Sequence, residues 1–107
     1  MNFRLALAVA KYLCQHRSVG LFRPVDDMLR DPALRPVSAE IGAVEMIDEL
    51  LAVPRPGTAE WQRAYDAVRK TVLYLEIRGV VRYIPDLEVV NWVGKLCNST
   101  IPISRAG

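Results

Sequence analysis

A single glycine separates this chain's strongest helical pattern from its strongest strand pattern, and that junction limits the folds open to it. Before it, Trp61, Ala64, Tyr65, Val68, Val72 and Leu75 recur at three- to four-residue spacing, which predicts a helix with one buried stripe over residues 59–78. Thr58 is placed to cap its start, Glu60 lies in its first turn, and Gly79 stands where a C-terminal glycine belongs. Beyond Gly79 the period drops to that of a strand. Residues 80–84 are β-branched and aromatic, Pro85-Asp86 makes a turn, and residues 87–92 form a second strand, so a β-hairpin is expected. Upstream, two prolines and a glycine in residues 53–57 forbid helix continuation.

The elements before that break are read the same way. Asn2 can cap a core helix over residues 3–15, with small Ala6, Ala8 and Ala10 allowing close packing. Residues 18–36 look irregular: an extended piece at Leu21-Phe22, a helical turn from Pro24, and Pro32 and Pro36 against a long helix. Ser38 is expected to cap a helix reaching about residue 52, apolar through Ile41, Val44, Met46, Ile47, Leu50 and Leu51, with Glu45, Asp48 and Glu49 on its outer face. The reading is a mainly α fold with a C-terminal β-hairpin (α+β), three main helices plus a two-stranded wing. It comprises one domain over residues 1–93 and a tail over residues 94–107.

At 107 residues and 51% apolar composition the chain can bury a core without staples, and a net charge of +2 does not by itself require a nucleic-acid partner. Eleven arginines against three lysines favour bidentate contacts over point charges, although base composition of a genome also yields such a bias. Cys14 and Cys97 are far apart with no CxxC or Cys/His cluster, so two buried free thiols in a reducing cytoplasm are expected, and His16 has no second histidine for a metal pair. The apolar run over residues 5–10 is too short for a signal peptide or a membrane span. No cofactor, metal site or membrane association is expected.

The order helix, irregular segment, helix, break, longer helix, hairpin resembles the winged helix-turn-helix superfamily. The likeness rests on residues 67–91, where Leu75 leads through Gly79 to Val80 and Val81 as a recognition helix leads into a first wing strand. It implies that the third helix enters a major groove and that the wing meets the backbone or minor groove. Thr58, Gln62 and Arg63, with Asp66 nearby, would then approach base edges, while Arg55, Lys70 and Arg82 would meet phosphates. Arg63, Ala67, Lys70 and Tyr74 share one face at i, i+4, i+7 and i+11. What the resemblance implies is a small prokaryotic or phage transcriptional regulator, binding double-stranded DNA as a homodimer.

The same residues also fit blander roles. Trp61 suits a core edge, Trp92 a core lid under the hairpin, Tyr74 and Tyr83 half-buried packing, Asp66 with Lys70 a surface pair, and His16 a helix-end cation. Glu60, Asp66 and the wing-tip acids Asp86 and Glu88 would repel phosphates. A second expectation follows: a winged-helix-like protein-interaction module, such as a phage-encoded inhibitor or adaptor, that does not bind DNA and meets its partner through Glu45, Asp48 and Glu49 or through Asp86 and Glu88. No phosphate loop, nucleophile elbow or zinc-protease motif is present, and Cys14 and His16 at i, i+2 face apart, so no enzyme is expected.

Overall fold

The computed structural model describes residues 2–43 and 53–94. The elements are α1 (Phe3–His16), β1 (Ser18–Gly20), α2 (Phe22–Arg30), a 3-10 turn (Pro32–Leu34), α3 (Arg35–Glu40), α4 (Ala59–Ile77), β2 (Val81–Ile84) and β3 (Val89–Trp92). The fold is α+β, mainly helical with a small antiparallel sheet, a layout compatible with a winged helix.

α1 and α4 form where the sequence places them. Asn2 accepts the Leu5 amide at 3.1 Å, and Leu5, Val9, Ala10 and Leu13 sink into the core at no more than 2% exposure. Thr58 Oγ1 accepts the Trp61 amide at 3.2 Å and donates to the Arg55 carbonyl at 2.8 Å. Thr58→Ala is therefore expected to cost about 1 kcal/mol, measured as a shifted denaturant midpoint. Ala64, Val68 and Val72 are fully buried, so the stripe holds. Gly79 adopts φ +81, the left-handed geometry glycine accepts without strain, and Val80 N–H closes onto the Leu75 carbonyl at 3.2 Å.

The segment after α1 is more ordered than expected. The extended piece is Ser18–Gly20, not Leu21-Phe22; Leu21 is instead the N-cap residue of the nine-residue α2, which Phe22 begins. Val25, Met28 and Leu29 bury its inner face. The prolines begin helices here: Pro24 lies in the first turn of α2, Pro32 opens the 3-10 turn and Pro36 sits in the first turn of α3. A missing N–H has no cost at such positions.

The helix expected to start at Ser38 is also corrected. Ser38 lies inside α3, 1% exposed, with its hydroxyl buried and unpartnered. α3 ends at Glu40, and the chain turns at Gly42, φ +74. The acids Glu45, Asp48 and Glu49 and the rest of that expected helix lie outside the described residues, as does the tail from residue 95. Four α-helices, not three, are present among the described residues.

The expected two-stranded wing is one part of a three-stranded sheet in the order β1-β3-β2. β1 pairs antiparallel with β3, setting Ser18 opposite Asn91, while Arg82 lies opposite Asn91 from the other side. Ser18 Oγ donates to Asn91 Oδ1 at 2.6 Å, so this row is the polar outer face. Tyr83 and Val90 are buried on the inner face. The core fills the space between this face and the buried sides of α1, α2 and α4.

Cys14 is buried, as expected, but disulfide-bonded, which corrects the expectation of a free thiol at this position. The chain's other cysteine, Cys97, lies outside the described residues. Among the described residues no helix is long and apolar enough to cross a membrane.

Candidate interaction surface on the long helix and the wing

The hairpin runs back along α4. It leaves the C-terminal end at Gly79, Tyr83 N–H donates to Glu76 Oε2 at 3.0 Å, and at the tip Glu88 Oε1 accepts the Tyr65 hydroxyl. The tip thus lies beside the first half of α4. The opposite flank of α4 faces the start of α1 and the turn after α3, across a groove of about 520 Å³ lined by Asn2, Leu5, Ile41, Ala67 and Thr71 together with Arg63 and Lys70. Between these flanks α4 presents Gln62, Arg69, Leu73 and Ile77 to solvent, all exposed, with the exposed Asp66 at the groove's edge.

Only part of the expected DNA-reading set points outward unencumbered. Thr58 spends its hydroxyl on capping. Gln62 donates to Asp66 Oδ1 at 3.0 Å, so Asp66 is held by an amide rather than by the expected ion pair with Lys70. Arg63 donates to the Gly42 carbonyl at 3.0 Å and lies against that turn. A Cβ added at Gly42 would come within 3.2 Å of Arg63 Cδ. Tyr74 is half-buried on the core, with the Arg78 guanidinium 5.9 Å from its ring centre, so it does not share an open face with Arg63 and Lys70. Arg55, Lys70 and Arg82 are exposed, Arg82 on the outer side of the sheet.

Arg69 is the cation that sequence reasoning missed. It follows Val68 directly, and helical geometry turns it by about 100° from that buried position, onto the open arc. Counting outward from Val68 and Val72, the centre of the buried stripe, would have found it.

The wing tip, Pro85 to Glu88, is exposed throughout, with Leu87 at 69%. Glu88 takes φ +51, unusual for a side chain of this size, and is held there from both ends. Its carbonyl accepts the Leu21 amide at 2.8 Å and its carboxylate accepts the Tyr65 hydroxyl. Next to it the rings of Phe22, Trp61 and Tyr65 run in series, with centres 5.5 and 5.4 Å apart. Trp61 is core, as expected, yet its ring edge joins this series.

Other titratable groups have local roles. Asp26 and Asp27 point apart: Asp26 pairs with Arg30 at 2.9 Å, while Asp27 and Arg23 lie by the buried Tyr12 hydroxyl. Burial first, and then Asp27, hold that phenol above its ordinary value. His16 stacks on the Tyr12 ring at 4.0 Å. Among the described residues no three His, Cys, Asp or Glu side chains converge on a metal-sized site.

Compared with known proteins, the chain matches no family model, no curated protein and no solved structure.

Proposed function

We propose that this chain is a non-catalytic, winged-helix-like module that binds another protein through α4 and the wing. One observation carries the reading: the exposed side chains that would read bases already hold hydrogen bonds within the chain, while the wing beside them is acidic and apolar. Thr58, Gln62 and Arg63 each have an intramolecular partner, and Asp86, Leu87 and Glu88 stand where phosphate-binding cations would be needed. Phosphate contacts supply most non-specific affinity for DNA, so an acidic wing tip works against it.

DNA binding is the second reading, and Arg69 with Lys70 favours it, because both stand exposed midway along α4. A fluorescence-anisotropy titration with random duplex DNA at two salt concentrations separates the two. The expected result is no saturable binding at physiological salt. Submicromolar binding that falls steeply with salt and is lost in Arg69→Ala with Lys70→Ala would replace the first reading with the second. Sedimentation on the same samples measures the homodimer expected from the resemblance.

The expected cytoplasmic location is opposed by the Cys14 disulfide, because glutathione and thioredoxin keep cytoplasmic thiols reduced. Alkylating thiols in intact cells before lysis decides it: a labelled Cys14 places the chain in a reducing compartment.

A further inference from the structure

We propose that the patch joining α2, the first half of α4 and the wing tip docks a basic peptide segment carrying a bulky apolar residue. The inference rests on the protein-binding reading above and names its site and partner chemistry. The patch is a closed circuit of contacts. The Phe22 ring meets the Trp61 ring, Trp61 meets Tyr65, Tyr65 donates to Glu88, and the Glu88 carbonyl returns to the amide of Leu21, next to Phe22. Three elements therefore hold one surface in fixed geometry, and a surface already ordered loses little entropy on binding.

Its composition selects the occupant. Phe22 is 46% exposed and Leu87 69%, so an apolar side chain of a partner has two walls to cover. Among the described residues neither Asp86 nor Glu88 has an ion-pair partner, and Glu88 is kept in left-handed backbone geometry that glycine or asparagine would occupy more cheaply. Arg23, the cation nearest in sequence to Phe22, lies by Tyr12 and Asp27, and the charges of the wing tip itself are Asp86 and Glu88. Complementarity then calls for Lys or Arg beside the apolar anchor, since like charge at a contact is penalised. Aromatic platforms also receive cations and extended segments directly.

The test uses the intact protein and a displayed library of random short peptides, followed by titration of the enriched peptides and amide chemical-shift mapping. Enriched sequences are expected to pair Lys or Arg with a bulky apolar residue, to bind with roughly micromolar affinity, and to shift the amides of Phe22, Tyr65 and Leu87. Leu87→Ser and Glu88→Gln are each expected to weaken that binding about tenfold. Both change exposed wing-tip side chains, so an unaltered melting temperature separates lost binding from lost folding. Enrichment without basic residues, or shifts centred on Leu73 and Ile77, overturns this site while leaving the protein-binding reading in place. No enriched peptide, with duplex DNA shifting Arg69 and Lys70 instead, overturns both.

Discussion

Reduction of the native protein is expected to lower its unfolding free energy by about 4 kcal/mol. Cys14 is disulfide-bonded, and removing a native disulfide from a small domain typically costs roughly 2–5 kcal/mol. A cross-link removes conformational freedom from the unfolded chain, and the unfolded state rises in free energy accordingly. Urea unfolding with and without a phosphine reductant measures the difference. A thiol titration in denaturant should find Cys14 unreactive before reduction. Two reactive thiols per chain, or coincident unfolding curves, would overturn this expectation.

Leu13→Ala comes next in size, at about 3 kcal/mol. Leu13 is 1% exposed and belongs to the core that α1, α4 and the inner face of the sheet share. Removing its side chain loses transfer free energy and leaves a cavity that a neighbour on a regular helix can fill only partly. In a domain this small the melting temperature should fall by roughly 15 °C. Ile77→Ala is the control: Ile77 is 84% exposed at the end of α4, and its loss should hardly move the transition. A Leu13→Ala protein as stable as the Ile77→Ala protein would mean that α1 is not packed as described.

α1, α4 and the hairpin were legible because each carries its own signal. Asn2 and Thr58 cap, Val68 and Val72 repeat, and Gly79 ends the helix. The region after α1 was not, for two physical reasons. Pro32 and Pro36 read as breaks unless it is known that a first turn lies at each of them, and so the helical turn expected from Pro24 looks shorter than α2 is. β1 has three residues, too few for alternation to show, and its register is set by β3 far along the chain. The interaction surface was only partly legible for a related reason. Helical spacing says which residues share a face, but not which neighbours cover that face. Arg63 and Tyr74 fall on the flank that Gly42 and the core occupy, and Arg69 does not. Cys14 illustrates the same limit, since nothing near it in sequence announced a bond.

The pairing of β1 with β3 also sets a schedule for biosynthesis. Ser18 emerges early, and its partner Asn91 is 73 residues downstream. Until that partner has been made, the three residues after α1 have no strand to lie against, and α1 has no sheet beneath it. Folding that proceeds vectorially can prepare single helices but cannot close the sheet. The sheet can therefore close only after β3 has been made, and a product cut short before β3 would lack the pairing that orders Ser18–Gly20.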